Sequence, residues 1–167
     1  MTWVRSASDK SITVRCTRER LRALVNDVTG CGRLMPGVES LERVAEAADG
    51  TDTRGVYHYR LATVSNGAVT FTPEYEARFD TSDPDAITWE PHGEHNFRSW
   101  GTFHIEDGAA EGEQRLRIET RTEASVDVAP VVVVLIEPFA QKETDEVTEG
   151  FLEAVREAVE QERAGVS

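Results

Sequence analysis

Lysine is nearly absent: the chain has Lys10 and Lys142 beside 16 arginines, and its 18 basic residues face 31 acidic ones. The resulting net charge of −13 argues against a nucleic-acid binder, which needs a basic footprint. It argues equally against docking on anionic lipid head groups. The arginine bias and the acidity together fit a salt-adapted or GC-rich source. Cysteine is scarce as well. Cys16 and Cys31 are too few for a disulfide framework and are expected to be two buried, reduced thiols of a cytoplasmic protein. Long apolar runs are missing. The longest, Val131 to Ile136, falls far short of the roughly 20 residues a membrane span needs. The start, Met1-Thr2-Trp3, lacks a charged n-region followed by an apolar stretch, so no signal peptide is expected. Internal repeats, low-complexity tracts and linkers are absent too. So are a nucleophile elbow, a phosphate loop, a dinucleotide fingerprint and a metalloprotease motif. No cofactor and no metal are therefore expected.

What is present suits one domain. The chain has 167 residues, of which 39% are hydrophobic, close to the roughly 150 residues of a typical domain and enough for a core. Trp3 to Cys16 reads as extended, with Ile12, Val14 and Cys16 alternating against Thr13 and Arg15. Thr17 is placed to cap a short helix carrying Leu21, Leu24, Val25 and Val28. A second short helical or irregular piece runs from Thr29 to Leu34 and stops at Pro36.

Strand-like segments follow at Glu39–Ala47 (ended by Asp49-Gly50), Thr53–Val64, Ala68–Asp80, Ile87–Trp89, Phe97–Ile105 and Arg115–Val126. Asn66-Gly67 marks a hairpin between the second and third of these. In the last segment Leu116, Ile118, Thr120, Thr122, Ala124 and Val126 oppose charged or polar neighbours, the mark of an antiparallel strand with one covered face. The pattern then changes period. Pro130 suits a first helical turn, and Ala140, Thr144, Val147, Phe151, Ala154, Val155 and Ala158 form a helical stripe with acids opposite. Pro138 is expected to bend this helix, and Gly150 to admit a close neighbour. The reading is α+β: about seven antiparallel strands, curved, with one long helix covering their apolar face.

That order and several strings resemble the START-like, or SRPBCC, superfamily of the helix-grip, birch-pollen-allergen-like fold. The likeness is to its polyketide cyclase/dehydrase and lipid-transport branch, where proteins like the G subunit of carbon monoxide dehydrogenase also sit. The strings are Val14-Arg15-Cys16-Thr17-Arg18-Glu19-Arg20-Leu21, Leu24-Val25-Asn26-Asp27-Val28, Pro36-Gly37-Val38-Glu39-Ser40, Leu135-Ile136-Glu137-Pro138-Phe139 and Phe151-Leu152-Glu153-Ala154-Val155. Thr17 stands where that family usually has proline. The resemblance implies one START-like domain over residues 1–167, with its C-terminal helix at about 130–163. It also implies a hydrophobic cavity between sheet and helix for an apolar or amphipathic small molecule. It does not imply one reaction, because such a fold hosts binders, carriers and enzymes.

The residues expected to line that cavity are Tyr57, Tyr59, Phe71, Tyr75, Phe79, Trp89, Phe97, Phe103, Thr120, Thr122, Thr144, Val147 and Phe151. The tyrosines and threonines would supply polar handles on an apolar wall. Each of these residues could equally be ordinary core. Glu90, His92, Glu94 and His95 could hold zinc in principle, but they read as a solvated hairpin tip at Pro91–Gly93. His58 and His104 fall on the outer face with Arg60, Arg98 and Trp100, unless a bulge reverses the register. Trp100 then marks either such a bulge or a partner contact. Glu143 is the one acid close to the inward helical stripe.

Three functions remain open: a carrier or sensor of a lipid, polyketide or isoprenoid-like molecule, a polyketide cyclase/aromatase-type enzyme, and an accessory interaction domain with a filled cavity. No nucleic acid or membrane span is expected as a partner, and homo-oligomerisation is left open. Two convergent titratable groups in the cavity would favour the enzyme. A greasy cavity with isolated hydroxyls would favour the carrier.

Overall fold

A computed structural model describes residues 2–46, 53–67 and 69–164. The chain opens with β1 (Thr2–Arg15), in which Val4, Ser6, Ser8 and Val14 are buried and their neighbours are not. Period-two alternation therefore extends over the whole strand, beyond the Ile12–Cys16 part where it is plain in sequence. Thr17 caps α1 (Arg18–Asn26) by accepting from the Arg20 N–H at 3.2 Å, and Leu21 and Val25 bury its inner face. Asp27 then ends α1 and caps α2 (Val28–Gly32), its carboxylate accepting from the Gly30 N–H at 3.2 Å.

Eight strands follow: β2 (Val38–Glu46), β3 (Arg54–Leu61), β4 (Val64–Ser65), β5 (Thr70–Phe71), β6 (Glu74–Asp80), β7 (Ala86–His92), β8 (Phe97–Asp107) and β9 (Glu113–Val126). The chain closes with α3 (Pro130–Ala164). Seven strands form one antiparallel sheet in the order β1-β9-β8-β7-β6-β3-β2. The Asp49-Gly50 turn lies outside the described residues.

The expected strand over Ala68–Asp80 is two strands. Proline cannot donate to a ladder, and Pro73 falls between β5 and β6. Its carbonyl accepts instead from Leu61 N–H at 3.0 Å. The Asn66-Gly67 turn accordingly joins the small pair β4–β5, while β3 goes on to pair with β6. The Glu90–His95 stretch also differs from expectation. Strand β7 runs through Pro91 to His92, and the turn begins at Gly93, whose φ is +72°. His92 faces Arg78, with Nη2 3.1 Å from Nδ1. Among the described residues no group of His, Cys, Asp and Glu is arranged to hold a metal ion.

Helix α3 runs unbroken past Pro138. Its buried side chains are Val133, Ile136, Thr148, Phe151, Leu152, Val155 and Val159, so the inward stripe is rotated relative to the expected one, and Ala154 and Ala158 sit at its margin. The rotation follows from where the helix lies, which is along β1, an edge of the sheet. Gln141 takes the place of a missing strand there: its Oε1 accepts from Ala7 N–H at 3.1 Å and its Nε2 donates to Ala7 carbonyl at 2.6 Å. Asp145 accepts from Ser8 at 3.0 Å, Glu149 pairs with Lys10 at 2.8 Å, and Glu160 accepts from Arg15 N–H at 3.0 Å. Acids that read as an outer face, together with Gln141, thus hold β1: Gln141 and Glu160 satisfy backbone groups of its open edge, and Asp145 and Glu149 hold its side chains. At Gly150 the close neighbour is the Pro36 ring: a Cβ there would meet its Cγ at 2.7 Å.

Two apolar clusters result. The larger joins the sheet, α1, α2 and the C-terminal half of α3 around Leu21, Ile87, Leu116 and Val155. The smaller gathers Val4, Val126, Val133 and Ile136 at the start of α3. The outer side of those first helical turns exposes Val131, Val134 and Leu135.

Candidate ligand cavity

A cavity of about 460 Å³ lies between the sheet and α3 and takes its walls from both clusters. That is within the usual range for small-molecule sites. Of the expected lining residues, Tyr59, Phe71, Tyr75, Phe79, Trp89, Phe97, Phe103, Thr120, Thr122, Thr144, Val147 and Phe151 reach it. Tyr57 does not. It is buried behind the wall, edge-on to Phe79 at 5.5 Å, with the Arg43 guanidinium 5.8 Å from its ring centre.

The aromatic rings form one continuous run. Tyr59 stacks on Tyr75 at 4.9 Å and faces Phe79 at 6.3 Å; Phe79 stacks on Trp89 at 5.6 Å. Trp89 meets Phe103 at 4.8 Å, and Phe103 stacks on Phe151 of α3 at 5.5 Å. Offset and tilted pairs at these separations each add attraction beyond area burial. The run ties four strands and the helix to one wall.

The polar groups are few. Burial, with smaller effects from Tyr75, Cys31 and Tyr57, pushes the Tyr59 hydroxyl well above the usual phenol range, and burial alone pushes Tyr75 up. Both therefore stay neutral and can donate a hydrogen bond but cannot serve as bases near neutral pH. Neither has a hydrogen-bond partner among the described residues, although both line the cavity. Burial, reinforced by Asp27, pushes the Cys31 thiol up to about 12, so this cavity-lining cysteine is no nucleophile. Thr120 gives its hydroxyl to the Trp100 carbonyl at 3.2 Å. Thr122 and Thr144 do otherwise: each lies 2.6 Å from the Ser6 hydroxyl.

Sequence reasoning missed Ser6 and Ser99, both buried and both in the cavity wall. The signal was there in phase. Ser6 falls in step with Val4 and Val14 on β1, and Ser99 with Phe97 and Phe103 on β8. Small hydroxyl residues simply do not announce themselves as an inward face. None of the four histidines, and no lysine or arginine, lines the cavity among the described residues. The lining carboxylates are Glu143 and Glu146.

The outer face carries the rest. Strands β8 and β9 pair without interruption from Phe97↔Ala124 to Asp107↔Gln114, so no bulge turns Trp100 inward. Its ring lies on that outer face beneath the Arg121 guanidinium at 4.3 Å. His58 and His104 are outward too, each beside glutamate: His58 is 2.9 Å from Glu74 and 3.2 Å from Glu76, and His104 is 3.7 Å from Glu119.

No protein-family model and no curated protein sequence matches this chain. Solved structures do. The chain is similar to TTHA0849 from Thermus thermophilus (TM-score 0.69, 21% identity, covering 93% of this chain and 96% of that one). It is similar to a START superfamily protein from Mycobacterium smegmatis (0.68, 16%, 93% and 97%). It is also similar to the Zhui aromatase/cyclase from a Streptomyces species (0.63, 17%, 94% and 94%). The chain therefore has the START-like helix-grip fold, an α+β architecture of a seven-stranded antiparallel sheet and a long C-terminal helix. Among the described residues no helix is long and apolar enough to cross a membrane.

Proposed function

We propose that this protein binds an apolar or amphipathic small molecule, of lipid, polyketide or isoprenoid character, in the cavity between sheet and α3, as a carrier or sensor. The observation that carries this reading is a cavity of about 460 Å³ walled by a continuous run of aromatic rings and furnished with hydroxyls but, among the described residues, no cation. Among the described residues no histidine lines the cavity, and burial keeps Tyr59 and Tyr75 neutral. A cyclase reading has one specific support, the likeness to an aromatase/cyclase, and would need the Tyr59–Tyr75 pair to act as a proton donor rather than a base.

Native mass spectrometry of the purified protein, with extraction of what co-purifies, tests the proposal, together with titration by Nile red. The expected result is a bound small molecule or saturable dye binding, weakened by Val147→Trp, which sets an indole into the cavity, with the far-ultraviolet circular dichroism unchanged. Dye binding as tight in this variant as in the parent, or none in the parent, would overturn the reading.

A further inference from the structure

Strands β1, β9 and β8 lie side by side, and their register sets Ser6 opposite Thr122 and Thr122 opposite Ser99. The three hydroxyls form a row across the cavity wall. Thr144 of α3 extends the row over Ser6 at 2.6 Å, and the Trp89 indole closes its far end by donating to Ser99 Oγ at 2.9 Å. A hydroxyl carries one proton and can accept as well. Ser6, Thr122 and Thr144 thus hold three protons and share two contacts, so one proton is left over. Ser99 accepts from Trp89 and has no acceptor for its own proton among the described residues. Tyr59 and Tyr75 add two more donors. The cavity therefore keeps several O–H protons free for an acceptor oxygen.

Its charge balance points the same way. No lysine, arginine or histidine lines it among the described residues, and Glu143 and Glu146 do. An ionised carboxylate or phosphate entering there would give up water without gaining a cation. An uncharged acceptor oxygen would gain donors that are already in place.

Resting on the reading that the cavity takes a ligand, we propose that it selects an uncharged, carbonyl-bearing molecule, whose oxygen is read by the Ser6–Thr122–Ser99 row, and rejects ionised acids such as free fatty acids.

Three probes sharing one bicyclic ring test this: naphthalene, 2-acetylnaphthalene and 2-naphthoate, each titrated against the protein at neutral pH and followed by tryptophan fluorescence. The ketone is expected to bind about tenfold tighter than the hydrocarbon, the gain of one well-placed hydrogen bond. The carboxylate is expected to bind more weakly than either. Thr122→Val should erase most of the ketone's advantage over naphthalene, with an unchanged far-ultraviolet circular dichroism reporting that the variant is folded. Naphthalene bound as tightly as the ketone, or naphthoate bound best, would overturn the selection while leaving ligand binding itself standing. Failure of all three probes would remove the ligand-binding reading and the selection with it. Should a variant fail to fold, the comparison of probes on the parent protein still decides.

Discussion

The Trp89 indole N–H donates to Ser99 Oγ at 2.9 Å across the β7–β8 pair, inside the cavity wall. This bond joins the aromatic run to the hydroxyl row. Ser99→Ala would leave the indole N–H buried without its acceptor, a loss of roughly 1–3 kcal/mol. Urea unfolding should show a lowered midpoint with an unchanged slope. In a Trp89→Phe background the same serine substitution should cost much less, because the orphaned donor is gone.

Gly101 makes the room that Trp89 occupies. It pairs with Trp89 on β7 and Thr120 on β9, and a Cβ there would run into the indole Cζ2 and come within 2.6 Å of the Glu119 carbonyl oxygen. The backbone contact cannot swing away as a side chain could. Gly101→Ala should destabilise by about 1–3 kcal/mol, the usual range for overpacking. Near-ultraviolet circular dichroism should show a displaced tryptophan. An unchanged spectrum and stability would mean that the indole has slack the packing does not suggest.

Phe151 is the helix's contribution to the aromatic wall, buried and stacked on Phe103. Phe151→Ala should cost about 3–5 kcal/mol and enlarge the cavity at the same time. Calorimetry should then show the deficit shrinking when a larger apolar probe is added, since a ligand that binds only the folded state stabilises it. A deficit indifferent to every probe would separate this ring from the ligand space.

His58 supplies a pH dependence of known sign. Burial opposes its charge, but the hydrogen bonds to Glu74 and Glu76 outweigh that, and its pKa is raised above 6.5. A group whose folded pKa is raised stabilises fully below its unfolded value and loses that contribution as pH rises through the folded one. The stability difference between the parent and His58→Gln should therefore be largest below the ordinary imidazole pKa of 6.5 and shrink as pH rises through the raised folded value. Imidazole resonances in a proton NMR titration give the same answer directly: a midpoint at or below 6.5 would contradict the double glutamate clamp.

The parts of the fold that are legible in sequence are those where one residue type repeats at one period. Strand β9 alternates cleanly from Leu116 to Val126, and its inward face is the one found. Thr17 announces its helix. The strand break at Pro73 is legible in principle, since a proline cannot donate to a ladder, but the apolar alternation on either side of it conceals the change of partner. The helix stripe departs from the expected one because acids that suit a solvent face, Asp145 and Glu160, answer donors on β1. That is a tertiary relationship, invisible until the strand edge and the helix are side by side. The cavity is legible through its aromatic residues and not through its serines. Ser6 and Ser99 become informative only when the register of three strands sets them in one row.

The position of α3 also bears on how a ligand would get in. The helix roofs the cavity and, through Gln141, Asp145, Glu149 and Glu160, dresses the free border of β1. Lifting it would open the chamber and in the same movement uncover a strand ready to pair with another chain. The β4–β5 hairpin closes another side. Its ladder is Val64–Phe71 and Ser65–Thr70, supported by the Thr63–Thr72 and Ser65–Thr70 hydroxyl contacts, and Val64, Val69 and Phe71 line the chamber. A ligand that entered on that side would leave the dressed border untouched and expose no strand to self-association.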